Sequence, residues 1–467
     1  MNRIAVFLLL TILFLTASAK EKVFFASGDR ICFFGNSITQ AAEFHHNVML
    51  YHITRFPGQP LSFFNCGIGG STANSALERL ESDVLVNKPT HVIIMFGMND
   101  VNRSLYKSKS TTNSDTLRIR EDAIKKYKLN YEKIVNIFLS KNIKVILQKP
   151  TIYDQTAKTK VLNNYGVNDA LKICADYIGD LGKKYQLPVV DYWTIMNQIN
   201  EQVQKNDSLA TIVGADRVHP GSVGHLIMSY QFLKSENAPT YVSKICISKN
   251  KKTSSKRSLN CEIQSVNTTR DSITFTVKEN ALPFPTSDSQ LKGLELVPFM
   301  KELNWELLQM DNLKNGRYQL FIDAKQIGEF TNQQLKEGVN LAEFKNTPQY
   351  LQAQSVMYSL NKLYEKESAI RGIKYIEYNP YFKTCPDKNN FETIKIHFDS
   401  MMKVNKNNNT FLLKVLDNYS TNKPLEKKME ETSDSLRKEV YRIAQPVKHI
   451  FMLCATLKDR LNYRRKN

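Results

Sequence analysis

After its N-terminus, the 467-residue chain has no apolar run approaching the ~20 residues needed to cross a bilayer, which excludes further membrane-spanning helices. It lacks paired Cys-x-x-Cys elements and any His-Glu-x-x-His helix, so the sequence offers no structural or catalytic zinc site. No Gly-Lys-Ser/Thr follows its glycine-rich loop, and the phosphate-loop reading fails with it. Internal repeats and nucleic-acid-binding motifs are also missing. Cysteine is scarce and odd in number: seven cannot all pair within one chain. Cys246 and Cys261 bracket a polar loop and are suited to closing it as a disulfide in an oxidising compartment.

What is present begins with 42% hydrophobic residues, enough for at least one full core, in a chain long enough for two or three domains. The one long apolar run, Ile4 to Leu15, follows Arg3 and precedes Ala17-Ser18-Ala19. That order is the pattern of a secretory signal over residues 1–19, leaving a mature chain that begins at Lys20 and has no membrane span. With the first cysteine at Cys32, a lipid-modified N-terminal cysteine is not expected. The protein is thus expected outside the cytoplasm, periplasmic or extracellular. The full chain carries a net charge of +19, and loss of the signal takes one arginine and no acid, leaving +18. Such a charge suits an acidic glycan or an anionic surface, and equally a set of solvated lysines that keep the chain soluble. Nucleic acid is not an expected partner of an exported chain.

Residues 28–235 alternate short apolar strands with amphipathic helices, which implies a parallel sheet wrapped by helices. Ile31 to Phe34, Ser62 to Phe64, Val92 to Phe96, Val145 to Leu147 and Val189 to Tyr192 read as five strands, nearly continuous in apolar residues as when both sheet faces are covered. The helical pattern is clearest over Glu121 to Ser140, where Ile124, Tyr127, Tyr131, Ile134 and Phe138 recur at three- and four-residue steps. From Lys244 to Arg257 the chain is basic, rich in serine and free of acids, and reads as a mobile linker or loop. Ile273, Phe275 and Val277, then Tyr318, Leu320 and Ile322 after a turn at Asn315-Gly316, alternate with period two. The remainder reads as helical: Val356, Leu360 and Leu363 form one stripe, and Val440, Val447, Ile450, Cys454, Leu457 and Leu461 another, interrupted at Pro446. The division is a signal over 1–19, an α/β unit over 28–240, a small β-rich region over 258–335 and a mainly helical region over 336–467.

Ligands of such sheets sit outside the carboxyl ends of the strands. Four blocks fall there. Gly35-Asn36-Ser37-Ile38 follows the first strand and exposes a hydroxyl at a strand-to-helix turn, which suits a nucleophile and also a helix cap. Asn65 to Thr72, after the second strand, holds glycines that let backbone N–H groups approach a ligand, or that merely precede a capped helix. Phe96-Gly97-Met98-Asn99-Asp100 ends the third strand with an amide able to donate to an oxyanion, or with a turn or cap. In Asp216-Arg217-Val218-His219 the carboxylate can accept from imidazole Nδ1–H and leave Nε2 to take a serine proton. Each block alone has a bland structural reading. His45, His46, His91 and His225 read as packing or capping residues, while Tyr153 and Asp154 lie at the active edge and are possible substrate contacts.

Together the blocks resemble the GDSL, or SGNH, hydrolase superfamily over about residues 28–235. The resemblance implies a flavodoxin-like α/β fold with a parallel five-stranded sheet and a Ser-His-Asp mechanism without cofactor or metal. It assigns Ser37 as nucleophile, His219 as base and Asp216 as its orienter, with Ser37, Gly70 and Asn99 forming the oxyanion hole. Asn36 departs from the aspartate that the family name implies, removing a charge beside Ser37. The segment from Val101 to Arg120 is polar and makes a poor apolar lid. An exported esterase acting on a short acyl group, acetyl foremost, of a small ester or an O-acylated polysaccharide is the leading expectation. An O-acyltransferase or lipase with the same triad, or a non-catalytic glycan- or surface-binding protein, are the alternatives.

Overall fold

A computed structural model describes residues 24–106, 113–248, 258–405 and 410–456. The signal expected over 1–19 lies outside the described residues, as do the basic stretch beyond Ser248 and part of the polar segment before Arg120. Among the described residues no helix is long and apolar enough to cross a membrane.

Five parallel strands form the first sheet: β1 (Arg30–Gly35), β2 (Ser62–Gly67), β3 (His91–Met95), β4 (Lys144–Gln148) and β5 (Val189–Val190). Their order, β2-β1-β3-β4-β5, is that of a flavodoxin-like sheet. Helices α1 (Ser37–Gln40), α2 (Glu43–Arg55), α3 (Ala73–Arg79), α4 (Ser114–Ser140), α5 (Val167–Tyr185), α6 (Tyr192–Asn206) and α7 (Ser222–Ser235) connect and flank the strands. Helices α1, α3, α4 and α6 each start at a side-chain cap. The Asn113 side chain accepts from Thr116 N–H to start α4, whose Tyr127, Tyr131, Ile134 and Phe138 stripe is buried on one sheet face. Thr72 and Ser75 make a reciprocal capping box at α3.

The β-rich region follows. Strands β6 (Tyr241–Ser248), β7 (Cys261–Thr268), β8 (Ser272–Glu279), β9 (Trp305–Asp311), β10 (Arg317–Ile322), β11 (Lys325–Thr331) and β12 (Val339–Asn340) alternate with the short helices α8 (Leu291–Leu296), α9 (Phe299–Leu303) and α10 (Asn332–Glu337). Helices α11 (Pro348–Glu377), α12 (Pro380–Lys383), α13 (Phe391–Val404), α14 (Thr410–Asn422) and α15 (Glu426–Ile443) complete the helical part, before strand β13 (Lys448–Ala455). Thr347 caps α11 with Pro348 in its first turn, where a missing N–H is harmless.

Three expectations are corrected. The stripe through Val447, Ile450 and Cys454 is not helical: Lys448–Ala455 is a strand paired antiparallel with both β8 and β10. His449, Phe451 and Leu453 are buried while Lys448 and Ile450 are exposed, a period of two that the three- and four-residue spacing masked. Lys244 does not open a loop but lies inside β6, which pairs parallel with β9. The disulfide between Cys246 and Cys261 is not formed: Cys246 Sγ is directed at Gln309 Oε1 (3.7 Å) and Cys261 Sγ at the Lys244 carbonyl (3.3 Å).

The core explains how the parts join. One face of the parallel sheet packs under α4 and α5. The other is covered by α2 and α7, and that cluster runs on into Leu282, Phe284 and Phe299 and into Val356, Leu360 and Leu363 of α11. The accessory helices therefore share apolar surface with the α/β unit, and the hydrophobic effect holds them against it.

Candidate active site

Gly35 ends β1 where the chain must turn sharply: a Cβ there would meet the Thr39 side chain and lie 2.8 Å from the Met95 carbonyl oxygen. Asn36 then caps α1, its Oδ1 accepting from Ile38 N–H at 3.1 Å. An amide fills this capping role as well as a carboxylate would, which accounts for the departure at this position. Ser37 is thus presented at the first position of α1, half-buried, at the carboxyl end of the sheet.

His219 reaches it from the loop before α7. Ser37 Oγ lies 2.7 Å from His219 Nε2, and His219 Nδ1 lies 2.5 Å from Asp216 Oδ2. The other carboxylate oxygen, Oδ1, accepts from the Val218 and His219 N–H groups, both at 3.0 Å. Partial burial pushes the Asp216 carboxyl up, but the imidazole and the two backbone donors outweigh it and hold the group well below the usual carboxylate range. An ionised Asp216 keeps the proton on Nδ1 and leaves Nε2 as the acceptor for the serine proton. Arg217 makes the turn possible. It adopts φ +68°, and its buried guanidinium donates to the carbonyls of Asp154, Ala157, Thr159 and Val161.

The glycine-rich loop after β2 and the Asn99 block after β3 converge on the same edge. Asn65 Oδ1 accepts from Gly67 N–H (2.9 Å), its Nδ2 donates to the Gln40 carbonyl (3.0 Å), and Gln40 Oε1 accepts from Gly69 N–H (2.5 Å). Helix α1 and the glycine loop are thereby tied together. Gly70 is exposed and has φ +75°, a backbone conformation that favours glycine. Asn99 donates to the carbonyl of Ser71, the residue after Gly70, at 3.0 Å, which uses one amide hydrogen and, because the amide is planar, fixes the direction of the second. Asp100 is buried and caps at a distance, accepting from Ala73 N–H at the start of α3 (2.7 Å) and from Gly97 N–H (2.9 Å). Burial pushes its carboxyl up to about 6 against those bonds.

Other residues singled out in the sequence are occupied elsewhere. His45 stacks on Phe33 (4.6 Å) with Nε2 on the Thr39 carbonyl, and burial pushes it down to about 3. His225 is buried against Phe44 and is also held to about 3, first by desolvation and then by the nearby His219. His46 pairs with Glu367 of α11, and His91 lies 3.6 Å from Asp29. Tyr153 and Asp154 are engaged in internal hydrogen bonds. Both are buried; Tyr153 Oη accepts from Asn164 N–H, and the Asp154 carboxylate accepts from Thr156 and Ala157. Arg103, which nothing in the polar segment distinguishes, sets Nη2 3.4 Å from Asn99 Oδ1 and contributes a positive charge near Asp216. Among the described residues no group of three or more His, Cys, Asp or Glu side chains is arranged to hold a metal ion.

A hydroxyl, an imidazole and a carboxylate in hydrogen-bonded sequence at the switch point of a flavodoxin-like sheet form an arrangement able to support nucleophilic acyl transfer. The profile of GDSL-like Lipase/Acylhydrolase proteins matches residues 31–232. A solved structure described as "BT4096 a gut microbial diltiazem-metabolizing enzyme" is 30% identical, with a TM-score of 0.84, over 92% of this chain and 98% of that one. An acetylxylan esterase of Geobacillus stearothermophilus is 24% identical over 238 residues, 44% of this chain and 94% of its own. The chain belongs to the GDSL-like lipase/acylhydrolase family, and it is an ester-hydrolysing enzyme.

Proposed function

We propose that the protein hydrolyses short-chain, principally acetyl, esters carried on carbohydrate or a comparably polar alcohol, by a double-displacement mechanism on Ser37. The Ser37–His219–Asp216 relay carries this reading. Ser37 Oγ adds to the ester carbonyl while His219 Nε2 takes its proton. The tetrahedral oxyanion is held by the N–H groups of Ser37 and Gly70 and by the Asn99 amide. His219 returns the proton to the departing alcohol, leaving an acyl-Ser37 ester. It then takes a proton from water, whose oxygen attacks that ester, and passes that proton to Ser37 Oγ as the second tetrahedral intermediate collapses to the acid and the free serine.

The substrate class rests on the setting of the site. The His219 and Asp216 side chains are 46% and 52% exposed, so the relay opens to solvent and admits an ester on a bulky, hydrated carrier. The similarity to an acetylxylan esterase points the same way. With residues 1–19 read as an export signal, the enzyme would meet such esters outside the cytoplasm. A chain-length series of 4-nitrophenyl esters tests the reading: acetate is expected to be cleaved at least ~10-fold better, by kcat/KM, than octanoate. A series rising toward C8–C12 would replace the proposal with a lipase.

A further inference from the structure

Three charged side chains, two from one turn of chain after β2 and one from α11, meet beside the oxyanion loop. Arg371 of α11, Asp83 and Arg79 are 5%, 4% and 2% exposed. The Arg371 fork grips Asp83 through two bonds, Nη1 to Oδ1 at 2.6 Å and Nη2 to Oδ2 at 2.9 Å, while its Nε donates to the Gly67 carbonyl at 3.1 Å. Arg79 pairs with the same carboxylate and donates to the carbonyls of Cys66 (2.8 Å) and Gly35 (2.8 Å).

The three carbonyls held this way have one thing in common. Gly35 ends β1, one residue before the Asn36-Ser37 turn, and Cys66 and Gly67 end β2, directly before the glycines of the oxyanion loop. Burying two guanidinium groups on one carboxylate is costly, and apolar packing of the same volume often serves stability as well or better. Apolar side chains, however, could not bind carbonyls. Helix α11 also bounds the loop sterically: the Tyr375 ring, one turn beyond Arg371, lies 3.0 Å from where a Cβ on Gly69 would sit. Gln40 holds the Gly69 N–H within the same loop, so the segment carrying Gly70 is fixed from α1 and from α11.

We propose that Arg371 is a positioning residue for the oxyanion loop, and that through it the accessory region forms part of the hydrolytic machinery rather than an appended module. This rests on the reading of Ser37 as nucleophile and Gly70 as oxyanion donor. Electrostatic stabilisation requires donors fixed before charge develops. Releasing the Gly67 carbonyl lets the loop relax, which weakens transition-state binding while leaving ground-state binding of a small ester nearly intact. The signature is therefore a fall in kcat at constant KM.

The test uses the full chain with a soluble acetyl ester, well below each variant's melting temperature. Four variants are compared: Ser37→Ala, Arg371→Gln, Arg371→Lys and Glu367→Gln. Glu367 is the control, because it joins the same helix to the α/β unit through His46 and to α15 through Arg437 without touching the loop. Both Arg371 variants are expected to lose ~10–100-fold in kcat, as a misplacement of about 1 Å costs, with KM changed less than about twofold. Glu367→Gln is expected to lower the melting temperature and keep kcat within about twofold of the parent. Folded Arg371 variants with parental kcat would overturn the proposal, as would an equal kcat loss in Glu367→Gln, which would signal a generally loosened interface. If Arg371→Gln does not fold, Arg371→Lys decides, since it keeps the charge and loses the fork. Retained hydrolysis in Ser37→Ala would instead strike the underlying reading of the site, and the proposal with it.

Discussion

Asp216→Asn is the substitution whose consequence the geometry dictates most closely. Asp216 Oδ1 faces two backbone donors, Val218 N–H and His219 N–H, at 3.0 Å each. An amide NH2 placed there would oppose both, so the carboxamide oxygen must keep that position. The NH2 group then falls where Oδ2 was, 2.5 Å from His219 Nδ1. Nδ1 can only accept from it, which moves the imidazole proton to Nε2 and directs that hydrogen at Ser37 Oγ, 2.7 Å away. The base is thereby blocked without moving a heavy atom. A wrong tautomer in a Ser-His-Asp relay costs ~10⁴ in kcat, or about 5 kcal/mol of barrier. Steady-state hydrolysis of 4-nitrophenyl acetate at neutral pH measures it, with KM expected to change little because the defect lies in proton transfer. A loss smaller than ~10-fold would refute the reasoning and remove Asp216 from the relay.

Two further outcomes follow from other parts of the molecule. Asn99→Ala is expected to lower kcat by ~10²–10³, as loss of one oxyanion donor does, with KM nearly constant; an unchanged turnover number excludes Asn99 from the oxyanion hole. Glu306 and Glu279 are buried together near Arg55 and His449. Burial pushes both carboxyls up, Glu306 well above its ordinary range because Glu279 adds its charge. A carboxyl raised in the folded state keeps a proton that the unfolded chain releases above about pH 4.5, so folding stability falls as pH rises past that point. Glu306→Gln removes this titration, and thermal unfolding should show the variant gaining on the parent between pH 5 and pH 8; parallel curves would contradict it.

The parallel sheet was legible because its strands are self-announcing: a run such as Ile31 to Phe34 is apolar throughout, as burial on both faces demands. The positions of Ser37 and Asn99 were legible for a related reason, since strand ends are where such sheets place ligands and the turn at Gly35 requires a glycine. β13 was not legible. Its alternation is short and its partners β8 and β10 lie more than a hundred residues earlier, so only the tertiary pairing decides it. Arg371 was hidden for the same reason: it sits on a long helix among lysines and glutamates, and nothing in its surroundings connects it to Gly67. Arg103 likewise has meaning only once the loop folds back on Asn99.

Covalent labelling of the nucleophile tests the central claim most directly. The full chain is treated with a fluorophosphonate, which mimics the tetrahedral intermediate, and intact and peptide masses are read alongside residual esterase activity. The account predicts a single adduct, located on Ser37, with activity falling in proportion to labelling. An adduct on another residue, or a fully labelled protein that still hydrolyses acetyl ester, would contradict it.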